Sequence, residues 1–150
     1  VDQRQWQMEQ KRRAMQELGD MLYGQNGFDR TRAIQLARSI EATAGQALGK
    51  NFHPGSVASD RSRTMFSLWR HREVFDANSS ALQGAASDLA VELAKQPKEG
   101  AVMLKQRPQD PYAQPSNQQV AVSPDVWAKY NEVSAICDHC HQDFRGPQRW

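Results

Sequence analysis

The sequence predicts an all-α fold, an antiparallel four-helix bundle, on three observations. Apolar residues recur at helical spacing in four separate stretches. Glycine, asparagine or proline separates each stretch from the next. Nowhere do β-branched residues alternate with polar ones for long, so no strand is expected. Four amphipathic helices with three connections close most simply as an up-down-up-down bundle. At 150 residues the chain is read as one domain, 1–150, long enough to bury a core.

The first helix is expected from Asp2 to Tyr23. Met8, Met15, Leu18 and Leu22 share one face, and Gly24, Asn26 and Gly27 break it. Asp29 is a good N-cap for the second helix, with Phe28 before it as a hydrophobic staple. That helix carries Ala33, Ile34, Ala37, Ile40, Ala44 and Leu48 and is expected to end at Gly49, before a loop holding His53, Pro54 and Gly55. The third is expected to begin near Thr64 and Met65. Leu68, Phe75, Leu82, Ala86, Leu89 and Leu93 form a heptad-like seam that Pro97 stops. Residues 98–122 read as a long loop, since four of the seven prolines fall between 97 and 115. Two roles fit it: a tolerated surface insertion, or a docking element for a redox partner. The fourth helix has Ser123 as cap, Pro124 at the first helical position and Asp125 at the positive end of the dipole. Trp127, Tyr130, Ser134, Cys137, His141 and Phe144 follow one face, before Gly146 and Pro147.

Composition narrows the function classes. Hydrophobic residues make up 39% and charged residues 24%, ordinary for a folded domain. The net charge of +2 gives no sign of a nucleic-acid partner. No apolar run approaches the roughly 20 residues of a membrane span. The chain starts at Val1 with no signal-peptide pattern. Two cysteines are too few for a disulfide scaffold.

Those two cysteines stand in Cys137-Asp138-His139-Cys140-His141. Cys-x-x-Cys-His is the attachment signature of haem c. Two thiols three residues apart on a helix can each add to one vinyl group of the same porphyrin, and the next residue places an imidazole at the iron. Cys137 and Cys140 are therefore the expected attachment points of one haem c, and His141 the expected axial ligand. Three rivals fit less well. A redox Cys-x-x-Cys pair belongs beside a βαβ pattern. Structural zinc wants four tetrahedral ligands, commonly from two separated pairs, and no second pair exists. A disulfide here would close a very short loop and stabilise little. No nucleophile–base pair, paired acids or phosphate loop suggests an enzyme.

With its attachment motif near the C-terminal end, the chain resembles the class II cytochromes c, the four-helix-bundle family of the cytochromes c' and their low-spin, methionine-ligated relatives. The resemblance rests on Cys137–His141 followed by Phe144-Arg145, on Trp69, on Gly24 with Phe28-Asp29, and on Arg4-Gln5-Trp6-Gln7-Met8. The loop 98–122 departs from the family pattern, as does the shorter stretch before Met8.

The resemblance implies more than the motif does. The first helix covers the distal haem face, and in the low-spin branch the pattern Arg-Gln-x-x-Met places a methionine on the iron. Met8 is thus the expected sixth ligand, with Met15 and Met21 as rivals. Six-coordinate His–Met ligation favours ferrous iron and suits single-electron transfer between redox partner proteins. The alternative is a five-coordinate cytochrome c' binding nitric oxide or carbon monoxide. Arg4 is implied as a propionate contact. Arg12 is read mainly as a surface charge, Trp69 as core, and His53, His71 and His139 as surface residues. Lys11, Arg12 and Arg13 form a basic patch that could steer a partner. Periplasmic location, a removed signal peptide and a homodimer are likewise implied by the resemblance.

Overall fold

The structure is a computed structural model that describes residues 2–54, 62–102 and 119–146. Four long helical arms form an all-α bundle, as expected. Helix α1 spans Asp2–Leu22. Gly24, at φ 75°, turns the chain out of it, and the amides of Gln25 and Asn26 both reach back to the Asp20 carbonyl. Helix α2 spans Arg30–Thr43, and its cap is the one the sequence predicts: Asp29 Oδ1 accepts from the Arg32 amide at 3.0 Å.

The second arm is not continuous to Leu48. It breaks at Ala44 and Gly45, then resumes as the short α3, Gln46–Gly49. Gly45 lies at φ 60°, ψ −137°, and exchanges hydrogen bonds with α5, the helix over Arg72–Ala94. Its amide donates to the Ser79 carbonyl at 3.0 Å, and the Ser79 hydroxyl donates to its carbonyl at 3.1 Å. The third arm also starts later than expected and in two pieces. A one-turn α4, Ser67–Arg70, is separated from α5 by His71 at φ −126°, ψ 45°. Helix α6, Pro124–Phe144, starts as predicted, with Ser123 Oγ accepting from the Val126 amide at 3.2 Å.

The expected absence of strands is corrected. Phe28–Asp29 (β1), Glu99–Val102 (β2) and Gln119–Val120 (β3) form a small sheet in the order β1-β2-β3. β1 and β2 are antiparallel, with Phe28 opposite Gly100, while β2 and β3 are parallel. These strands are too short for alternation to register in sequence. They also show that the ends of the 98–122 stretch are ordered; its middle, 103–118, lies outside the described residues.

Two apolar clusters result. The larger joins α1, α2, α5 and α6 through Leu18, Leu22, Ile40, Leu89, Leu93, Val126 and Val133. The smaller comprises Leu48, Phe52, Leu68, Phe75 and Phe144, with Met8 and Trp69 against it. The predicted third-arm seam is buried throughout but serves both: Leu68 and Phe75 enter the smaller cluster, Leu82 to Leu93 the larger. On α6 the fully buried residues include Val126 and Val133, which the predicted face omitted.

Candidate haem site

Helices α1 and α6 run antiparallel. At one end the Tyr130 hydroxyl donates to the Met15 carbonyl at 3.3 Å. Gly19 permits this approach, since a Cβ there would stand 2.7 Å from Tyr130 Oη. Eleven residues back along α1, about three turns, the helices face each other across a cavity of about 390 Å³. Met8 lines it from α1, and Cys140 and His141 from α6. Phe52, Leu68, Phe75 and Phe144 supply apolar walls, and Arg4, Arg12, Arg63 and Arg145 bring charge. A mostly apolar chamber with a few convergent polar groups is the expected form of a cofactor site.

His141 sits in the last turn of α6. The residue is exposed overall, yet partial desolvation lowers its pKa and the nearby Arg145 and Arg63 cations lower it further, which favours the neutral imidazole that binds a metal. Cys140 opens on the cavity, while Cys137, one turn earlier, packs against the larger cluster. Both cysteines are free and half-buried. Burial raises both thiols, and with Cys137 beside it Cys140 rises to about 11. These are protonated thiols, unlike the acidic thiolate of a redox Cys-x-x-Cys pair. Among the described residues no three His, Cys, Asp or Glu side chains gather into a metal-binding group. The donors present, two thiols and one imidazole close together on α6, fit a haem that would be held through two sulfurs and one imidazole.

Arg4 is only 4% exposed. Its Nη1 donates to Thr64 Oγ1 at 3.3 Å, and its guanidinium lies 5.1 Å from the Phe52 ring centroid. It is thus held at the cavity wall. Arg12 is exposed and bidentate to Glu9 at 2.8 Å. Trp69 packs against the smaller cluster under Arg72, as the core reading expected. Met15 and Met21 join the larger cluster and do not line the cavity. His53, His71 and His139 are exposed, as expected.

One expectation needs correcting. Lys11 is no part of a surface patch; it is 5% exposed, and its ammonium donates to the Thr43 carbonyl at 2.9 Å. Sequence reasoning also missed Arg63, which lies outside every predicted helix. Its only signal was proximity to the start of the third arm.

Comparison with known proteins gives the family and the fold. The family described as cytochrome C' matches residues 1–109, a stretch that ends before the Cys137–His141 motif. No curated protein matches the chain. Among solved structures, cytochrome c' from Rhodopseudomonas palustris is similar, with a TM-score of 0.74 at 18% identity, covering 99% of this chain and 97% of that one. Cytochrome c' from Thermochromatium tepidum has a TM-score of 0.71 at 19% identity, covering 98% and 94%. A cytochrome c' with an unusual ligand-controlled dimer dissociation has a TM-score of 0.73 at 19% identity, covering 98% and 94%. At these identities the structures establish the four-helix-bundle fold alone. All three are cytochromes c', and the comparisons do not support the narrower placement in the methionine-ligated branch. The family match, covering more than half of the chain, carries the assignment: the chain belongs to the cytochrome c' family, and its cofactor is that family's covalently attached haem c.

Proposed function

We propose that the chain is a monohaem cytochrome c' that binds nitric oxide or carbon monoxide at an open distal face. Cys137 and Cys140 would hold the haem, and His141 would bind the iron. A bound haem supplies reversible one-electron chemistry and a binding position for diatomic gases. The observation that carries this reading is one cavity with His141 and Cys140 on α6 facing Met8 on α1 across an apolar chamber. The family match favours the open site.

The chain's own residues do three things here. Phe52, Phe75 and Phe144 keep the chamber apolar and limit water beside it. Phe75 touches both other rings, with centroids 4.8 Å from Phe52 and 5.6 Å from Phe144. Arg4 brings a fixed cation to the wall. Met8 lines the chamber from α1 opposite His141 and would limit the size of a gas that reaches a bound haem.

The position of Met8 also supports a second reading, the six-coordinate His–Met electron carrier. The discriminating experiment is the absorption spectrum of the loaded protein, oxidised and reduced, with and without carbon monoxide. High-spin bands that shift with carbon monoxide are expected, and Met8→Ala should then speed carbon monoxide association without changing the gas-free spectrum. Low-spin bands indifferent to carbon monoxide, turning high-spin in Met8→Ala, would replace this reading with the electron carrier.

Export to the periplasm is part of the proposal, since haem attachment in this family takes place outside the bacterial cytoplasm. No helix among the described residues is long and apolar enough to cross a membrane. A homodimer is also proposed, because one similar structure is named for a ligand-controlled dimer dissociation. Sedimentation of the loaded protein with and without carbon monoxide checks it.

A further inference from the structure

The charge around the cavity is unbalanced. Arg4, Arg12, Arg63 and Arg145 line it, against the single carboxylate of Glu9. Glu9 is already engaged, by Arg12 and Arg13 at 2.8 Å. Among the described residues, neither Arg63 nor Arg145 has an ion-pair partner. The two cations stand close enough that Arg63 lowers the pKa of Arg145, an effect added to partial burial. Arg63 is half-buried and Arg145 exposed, and two like charges held close at the rim of the cavity repel each other and favour an anion between them.

Arg63 is also held in place more firmly than a surface arginine. Its carbonyl accepts from the Gly146 amide at 2.8 Å, and its Nε donates to the Gly146 carbonyl at 3.1 Å. The neighbouring segment is stitched to the end of α6 as well. The Met65 amide donates to the Phe144 carbonyl at 2.8 Å, and the Ser67 hydroxyl to the Asp143 carbonyl at 2.8 Å. Backbone and stem are thus fixed while the two terminal nitrogens of the fork make no hydrogen bond among the described residues. A pre-ordered guanidinium of this kind suits a carboxylate.

We propose that Arg63 is a carboxylate anchor that binds a propionate of the attached haem at the lip of the cavity. The proposal rests on the reading of the cavity as the haem site. It adds a second cation to Arg4, which reaches the same lip through Thr64, the residue next to Arg63.

The test is the midpoint potential of the loaded protein as a function of pH, in wild type, Arg63→Gln and Arg63→Lys, with covalent haem verified in each by absorption. A carboxylate beside a cation titrates lower by about one to three pH units. In Arg63→Gln the propionate-linked step should therefore move up by at least about one unit, and Arg63→Lys should restore most of the shift. Loaded Arg63→Gln with an unmoved step would overturn the anchor while leaving the haem site standing. A wild type without covalent haem would remove the site and the anchor together. Should Arg63→Gln fail to accumulate, a crystal structure of the loaded wild type decides: a guanidinium within hydrogen-bond distance of a propionate supports the anchor, and one turned away from both propionates overturns it.

Discussion

Lys11 is a buried cation whose stem and ammonium occupy the seam between α1 and the end of α2. Burial lowers its pKa from 10.5 to about 8; the neighbouring Cys137 sulfur opposes that shift only in its ionised form, which a thioether cannot take. Between those two pH values the unfolded chain holds a proton that the folded one has released. Stability therefore rises with pH across that window, by an amount on the order of 3 kcal/mol. Urea midpoints of the loaded protein at pH 7.5 and about pH 10 should show that rise, and Lys11→Met should remove it. An equal pH slope in the variant would mean that Lys11 keeps its charge in the fold. Its burial was legible in part. Arg4, Gln7, Lys11, Ala14, Leu18 and Met21 step by 3 and 4 along one face of α1, and all six are buried. The sequence reading followed the apolar members and took Lys11 with the exposed Arg12 and Arg13. Polar residues can occupy half of this seam because partners there accept or donate hydrogen bonds: Gln7 Nε2 donates to the Ala47 carbonyl at 3.4 Å, and Asn51 Nδ2 to Gln7 Oε1 at 2.9 Å.

At the scale of elements, capped ends were readable and interior breaks were not. Asp29 and Ser123 act locally, through a side chain that bonds an amide three residues ahead, so a sequence window contains the whole interaction. The break at Ala44 and Gly45 depends on Ser79, thirty-four residues away, and the apolar step from Ala44 to Leu48 continues unbroken across it. The adjoining glycine was the one local sign. At φ 60°, ψ −137°, an L side chain is strained, and a Cβ would stand 2.4 Å from Gln83 Oε1. Gln83 is exposed and can move aside, so backbone strain dominates the cost. Gly45→Ala should destabilise the protein by roughly 1 to 3 kcal/mol, read as a lower urea midpoint. Because Phe52 follows the break and lines the cavity, with Leu48 packed in the cluster behind it, the variant's haem bands should broaden as well. A variant as stable as wild type would mean that the backbone relaxes to another conformation at no cost.

For the molecule as a whole, the haem chamber and the long connection after α5 are built from different parts. The cavity is lined by α1, Phe52, residues between Ser62 and Phe75, and the end of α6, whereas β2 and β3 bracket residues 103–118 beside β1. β2 and β3 pair in parallel, with Ala101 opposite Gln119 and Val102 opposite Val120. Parallel strands need a connection of about a dozen residues or more, and the sixteen residues of 103–118 satisfy that. The number of residues between the two strands is thus compatible with their parallel pairing. Replacing 103–118 by a four-residue Gly-Ser linker should abolish the β2–β3 pair and lower the urea midpoint. It should leave the haem spectrum and its carbon monoxide response unchanged, since no described residue of that sheet lines the cavity. If the spectrum changes with the linker, the connection contributes to the site. If stability and spectrum both stay as they are, the parallel pair is dispensable, and the connection is left with a role outside the fold, which electron-transfer rates to a redox partner would then measure.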